Sequence, residues 1–112
     1  MINKLTNPVA KTLLNHLRKK ETDALRFRHI VQELSRLLVY EALKNETLEE
    51  RTVTSWQGEE DFGFIKEEEI IFVTILRAGL PMIEAVTALL PNASSGFLAM
   101  KRDENTHQSV LY

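Results

Sequence analysis

Two short stretches of this sequence carry side chains able to grip a charged ligand: Arg77-Ala78-Gly79 and Lys101-Arg102-Asp103-Glu104. The first follows the apolar run Ile70-Ile71-Phe72-Val73-Thr74-Ile75-Leu76 and precedes Leu80-Pro81, where a helix is predicted to start. An arginine guanidinium offers a planar fork of donors that matches phosphate oxygens. A glycine lets the backbone approach a ligand closely and gives access to positive φ. The N-terminus of the following helix adds free N–H groups and a partial positive charge. Together these suit an anion. The same three residues also read as a solvated loop arginine and a turn glycine, and spacing alone does not decide between the two. In the second stretch Arg102 could reach the same ligand, with Asp103 and Glu104 holding it by ion pairing, or the group could be a surface charge cluster. His16, His29 and His107 fall on different elements, none at metal-ligand spacing from another His or a carboxylate. The absence of cysteine excludes disulfides, thiolate catalysis and cysteine metal sites. No G-x-S-x-G, P-loop or G-x-G-x-x-G pattern occurs.

The elements that must position these loops are legible from patterning. Asn7-Pro8 reads as a helix start, because Asn caps free N–H groups and Pro fits the first helical position. Val9, Leu13, Leu14 and Leu17 follow at helical spacing, and Arg18-Lys19-Lys20 would complement the dipole of the last turn. A second helix is predicted from Thr22-Asp23 to about Lys44, with Leu25, Phe27, Ile30, Val31, Leu34, Leu37 and Leu38 forming a wide apolar stripe. Residues 51–56 have strand character. Gly58 with Glu59-Glu60-Asp61 reads as a turn, and Phe62-Gly63-Phe64-Ile65 as a return strand, giving a hairpin arm. Glu67-Glu68-Glu69 is read as a solvated connector. The run from Ile70 to Leu76 has the β-branched signature of a parallel strand buried on both faces. A helix from Pro81 and a strand at Gly96–Met100 complete a parallel βαβ unit. The chain therefore divides into a helical front end over 1–45, a hairpin arm over 50–66 and a βαβ portion over 70–112. Both arginine-bearing stretches then fall at the carboxyl ends of parallel strands, where open α/β sheets bind their ligands.

Composition excludes little more. The chain has 112 residues, 44% apolar and 27% charged, as expected of one globular unit. Residues 1–56 hold 10 Lys/Arg against 7 Asp/Glu and residues 57–112 hold 4 against 9, so balances of +3 and −5 give the net −2. With a pI near 5.9, global charge gives no reason to expect a nucleic-acid partner. No apolar run is long enough to span a bilayer and the N-terminus has no signal-peptide core, so a cytoplasmic location without a membrane partner is expected.

The stretch Val73-Thr74-Ile75-Leu76-Arg77-Ala78-Gly79-Leu80-Pro81-Met82 resembles the "ILRAGL-M" segment of uracil phosphoribosyltransferases, and Arg102-Asp103-Glu104-Asn105-Thr106 resembles that family's "RDE-T" segment. Asn7-Pro8, the Phe27-Arg28 pair, Glu33-Leu34-Ser35, Leu37-Leu38 and Tyr40-Glu41-Ala42 are similar to its two opening helices. The resemblance implies an α/β chain with part of a type I phosphoribosyltransferase fold. The reaction it implies joins uracil to phosphoribosyl pyrophosphate (PRPP), giving UMP and pyrophosphate in pyrimidine salvage. It implies that Arg77, Ala78 and Gly79 belong to the loop that holds the pyrophosphate, with a non-proline cis peptide there. It further implies that Arg102 is a second pyrophosphate contact supported by Asp103 and Glu104, that Mg2+ travels with PRPP, that the protein forms a homo-oligomer, and that GTP activates some members.

Two departures qualify the resemblance. Met100-Lys101 stands where the family usually has Leu-Tyr. Neither the "DP-LATGG" pattern for the ribose phosphate nor the "GYAGD" pattern for uracil occurs in these 112 residues. The polypeptide alone is accordingly expected to show little or no transferase activity. Two other readings stand beside this one. The front helices and hairpin arm could form a non-catalytic interaction module. A pyrimidine-sensing relative that binds RNA is the third, disfavoured by the acidic pI and the lack of a basic aromatic stripe.

Overall fold

The computed structural model describes residues 2–102 and 109–111. Helix α1 spans Pro8–Leu17, with Asn7 as its N-cap: the side-chain oxygen accepts the N–H of Val9 at 2.7 Å and of Ala10 at 3.4 Å. The helix ends earlier than its basic tail suggests. Arg18 is already the C-cap, and Lys19 and Lys20 lie beyond the last turn. The stop has a local cause. The N–H groups of Arg18 and Lys19 turn back to the carbonyls of Asn15 and His16, and the Thr22 hydroxyl donates to the His16 carbonyl at 2.6 Å, satisfying orphaned acceptors.

Helix α2 spans Ala24–Ala42 and is capped by Asp23, whose carboxylate accepts the Arg26 N–H at 2.8 Å. It lies between α1 and helix α3, Leu80–Leu89. Its apolar stripe is wider than what it buries. Ile30 is buried, whereas Leu25, Phe27 and Leu38 are exposed. Ser35, buried on the same helix, satisfies its hydroxyl by donating to the Val31 carbonyl at 2.7 Å. Among the described residues the core is small: Ala10, Ile30, Ile83, Ala85 and Val86, with Thr74 and Ser35 beside them.

Strands β1 (Glu49–Ser55) and β2 (Gly58–Phe64) form an antiparallel hairpin in which Ser55 pairs with Gly58, so only Trp56 and Gln57 make the loop. Glu59-Glu60-Asp61, expected as a turn, are strand residues instead. The turn needs only Gly58, whose φ of 112° suits glycine, and the Ser55 hydroxyl, which accepts the Gln57 N–H at 3.1 Å and donates to the Gly58 carbonyl at 2.9 Å. Acidic side chains are tolerated in β2 because that strand is exposed along its whole length. One of them, Asp61, accepts the hydroxyl of its cross-strand partner Thr52. The arm stands away from the rest. The chain measures 62 × 34 × 31 Å with a radius of gyration of 17.9 Å, against about 13 Å for a compact chain of this length.

Glu67–Glu69, expected as a solvated connector, form a 3-10 turn that ties the arm to the body. Glu68 pairs with Arg51 at 3.2 Å, and the Glu67 carboxylate accepts the Asn92 N–H at 3.1 Å. The Glu68 carboxyl is held below its ordinary range, first by its own backbone N–H and then by Arg51.

Strand β3 (Ile71–Leu76) pairs in parallel with the first part of β4 (Ser94–Arg102), from Ile71 against Ser94 to Leu76 against Ala99. The expected βαβ unit is thus formed, with α3 as its crossover helix packed on β3. The expectation that β3 is buried on both faces fails. Thr74 is buried on the helix side, but Ile71, Val73 and Ile75 on the other side are 67%, 60% and 51% exposed. Among the described residues, helices cover one face only. The last three residues of β4 pair antiparallel with β5 (Ser109–Leu111), from Met100 against Leu111 to Arg102 against Ser109.

Candidate anion-binding site

The Arg77 loop begins where β3 ends, and the Leu76–Arg77 peptide bond is cis. Arg77 and Ala78 are exposed, and Gly79 is buried. The Gly79 N–H donates to the Ile75 carbonyl at 2.9 Å, the Leu80 N–H to the Arg77 carbonyl at 3.0 Å, and the Ile83 N–H to the Gly79 carbonyl at 3.1 Å. The loop is therefore fastened to β3 behind it and to α3 ahead of it, with Arg77 and Ala78 displayed between.

Glycine is required at 79 for a reason other than the expected one. Its φ is −78°, open to any residue, so positive φ is not used. The requirement is space. A Cβ there would lie 1.9 Å from the Thr74 hydroxyl oxygen and 2.8 Å from the Ile75 carbonyl oxygen. The close approach is to the protein's own strand, and it brings the first turn of α3 down onto β3. Gly79 is also the N-cap of α3 and makes no side-chain cap, so the opening N–H groups of that helix are left without a capping side chain.

The surroundings of Arg77 favour its guanidinium being available to a ligand. Among the described residues, no carboxylate lies within the 4.0 Å ion-pair distance of it. Glu84, one turn into α3, is instead turned to α2, 4.0 Å from Arg28 and accepting from Gln32 at 3.4 Å.

Arg102 is the last residue of β4 and not a loop residue, because the pairing with β5 prolongs the strand past its parallel partner. Leu76 lies opposite Ala99, so Arg77 and Arg102 both follow the last parallel rung, at the carboxyl end of the same strand pair. The backbone thus brings the two arginine positions to one end of the sheet. Asp103 and Glu104, the expected supports, lie outside the described residues. Among the described residues no three His, Asp or Glu side chains converge as a metal-binding group, and no helix is long and apolar enough to cross a membrane.

Sequence reasoning missed two neighbours of this loop. Thr74 is one; its signal was a lone hydroxyl inside an apolar strand. The other is a groove of about 460 Å³ in which Ala78 and Pro81 face Thr22, Asp23, Phe27 and Arg28 at the start of α2. Nothing in the spacing of residues 22–28 announces that they meet residue 78, since only the packing of α2 on α3 brings them there.

Comparison with known proteins gives the arrangement its context. The family model described as uracil phosphoribosyltransferase matches residues 4–112. A uracil phosphoribosyltransferase of Aquifex aeolicus is 46% identical over 112 residues, covering 100% of this chain and 54% of that protein. One from Thermosipho melanesiensis is 37% identical, with 99% and 53% covered. The solved structure of the AQ2163 protein from Aquifex aeolicus superposes with a TM-score of 0.91 at 46% identity, covering 100% of this chain and 54% of that one. The chain spans about half the length of the curated relatives it matches, and over that half it belongs to the uracil phosphoribosyltransferase family.

Proposed function

We propose that these residues supply the pyrophosphate side of a uracil phosphoribosyltransferase site, in which uracil and PRPP give UMP and pyrophosphate. The observation that carries this reading is the Arg77–Gly79 turn. An exposed guanidinium, an exposed Ala78 and an uncapped helix N-terminus follow one another at the carboxyl end of a parallel strand. The chemistry fits the demand. As the bond from the sugar carbon to the pyrophosphate breaks, the carbon becomes cationic and negative charge grows on the leaving oxygens. Donors fixed in advance toward those oxygens stabilise the transition state more than the ground state. Arg77 and the 78–79 backbone would hold one part of the diphosphate. Arg102, from the neighbouring strand, would be a second contact, with Asp103 and Glu104 orienting it. The described residues offer no cluster of their own for a metal. Mg2+ would travel with PRPP and partly neutralise the charge of its oxygens.

Titration calorimetry with pyrophosphate tests the proposal. The 112-residue polypeptide should bind it weakly, lose that binding in Arg77→Ala, and turn over uracil and PRPP little or not at all by itself. Pyrophosphate affinity unchanged in Arg77→Ala would refute the site; ordinary turnover would refute the inactivity.

A second reading concerns assembly and rests on the arm. The hairpin is exposed along β2 and carries Trp56 at its tip, 92% exposed, and Phe62 and Phe64 along its length. Such a ribbon would serve as the contact of a homo-oligomer, whether or not the chain is catalytic. An assembly that forms through the arm would be indifferent to Arg77→Ala.

A further inference from the structure

Thr74 is the single polar side chain of β3, and it is 8% exposed, on the face covered by α3. A hydroxyl in that position is unexpected in a strand otherwise built of Ile, Phe, Val and Leu, where an apolar residue would bury at no polar cost. Its location supplies a reason. The space that a Cβ on Gly79 would need is occupied by Oγ1 of Thr74, 1.9 Å from the ideal Cβ position. The hydroxyl therefore stands directly against the Gly79 Cα, between β3 and the first turn of α3. The Gly79 N–H is meanwhile drawn to the Ile75 carbonyl at 2.9 Å. One group pulls residue 79 toward the strand and the other limits how close it comes. The Arg77–Ala78 segment is strung between this point and Leu76, which is fixed in the parallel ladder opposite Ala99.

The geometry points to Thr74 as a positioning residue for the anion loop. Its hydroxyl sets the height of Gly79 above β3, and through it the aim of the Arg77 guanidinium, the Ala78 backbone and the helix N-terminus. This role rests on the reading of residues 77–79 as the pyrophosphate loop. It is specific to a small oxygen. In Thr74→Val a bulkier methyl replaces the hydroxyl at the point of closest approach and must lift the loop. Thr74→Ser keeps the oxygen.

The test uses the 112-residue chain with inorganic pyrophosphate as the probe. Calorimetry gives the affinity, backbone amide chemical shifts of residues 77–80 give the loop position, and thermal melting reports overall stability. Thr74→Val is expected to move those amide resonances and to weaken pyrophosphate binding about tenfold, in line with the sensitivity of oriented contacts to sub-ångström misplacement. Thr74→Ser is expected to stay within about twofold of the unaltered chain, as the retained oxygen requires. Pyrophosphate binding lost in Arg77→Ala but unchanged in Thr74→Val would overturn the role alone. So would affinities in both Thr74 variants that simply follow their melting temperatures while the loop amides stay in place. Absence of any pyrophosphate binding by the unaltered chain would overturn the pyrophosphate reading and this role with it.

Discussion

Replacing Gly79 by alanine tests how tightly the Arg77–Gly79 loop is fitted to its strand. Backbone conformation alone favours the change: φ −78° and ψ −2° suit alanine, and removing a glycine stiffens the unfolded chain by about 0.4–1 kcal/mol in favour of folding. Loss of a glycine N-cap takes back a comparable amount, since alanine caps poorly. Sterics then decide. The new methyl would lie 1.9 Å from the Thr74 hydroxyl and 2.8 Å from the Ile75 carbonyl oxygen. That carbonyl cannot withdraw freely, because it accepts the N–H of residue 79 itself. Overpacking of this kind costs about 1–3 kcal/mol, which becomes the net expectation. For a chain of this size each kcal/mol lowers the melting temperature by about 4–8 °C. Urea denaturation of Gly79→Ala, Thr74→Ala and the double variant forms a cycle that isolates the clash. The double variant should recover part of the loss and not all, because the 2.8 Å contact with Ile75 survives. A Gly79→Ala chain as stable as the original, or a cycle with no coupling, would refute the fitted-loop argument.

Other expectations follow from the same structure. Asn7→Ala should lower stability by about 1 kcal/mol, the usual value of an N-cap, and urea midpoints will show it unless the 2.7 Å bond to Val9 contributes nothing. Ile83→Ala, at a side chain 5% exposed in a small core, should cost about 2–5 kcal/mol; a loss under half a kcal/mol would mean that α3 is not packed as described. Glu68 should titrate below its ordinary range, because its own N–H and Arg51 favour the charged form. The sign follows: with the folded value depressed, the contribution is present above the ordinary carboxylate pKa and is lost as pH falls through the folded one. Carboxyl NMR titration checks this, and an ordinary or raised value contradicts it. Trp56, the single tryptophan of the sequence, should emit as a water-exposed indole at low concentration. If the arm mediates assembly, its emission should shift to the blue as dimers form, and a dimer with unchanged emission would locate the contact elsewhere.

How much of this was legible in the sequence depends on how local the cause is. Asn7-Pro8 and Asp23 announced their helices because capping is a contact between near neighbours. The β-branched run at 71–76 announced a parallel strand for the same reason. The reading of Glu59-Glu60-Asp61 as a turn went wrong because acidity marks a turn only where a strand face must be dry, and this arm is wet. The expected burial of β3 on both faces went wrong because hydrophobicity records what a surface can bury, not what covers it in these residues. In the site, the type and order of Arg77, Ala78 and Gly79 were plain, but the steric reason for Gly79 needed Thr74, five residues earlier, brought back by the turn of the chain. The meeting of Phe27 and Arg28 with Ala78 needed the packing of one helix on another, which no local pattern encodes.

The divided pairing of β4 has a consequence for how the two arginines are held. Residues 94–99 of that strand hang on β3, while residues 100–102 hang on a short ladder with β5. Native-state hydrogen exchange should therefore find two cooperative blocks within one strand, the short ladder opening at lower free energy than the parallel one. Arg77 follows directly on the sturdier ladder, whereas Arg102 lies in the weaker one. In the proposed site one side would then be fixed and the other would adjust, so a bound polyanion would raise protection chiefly at residues 100–102.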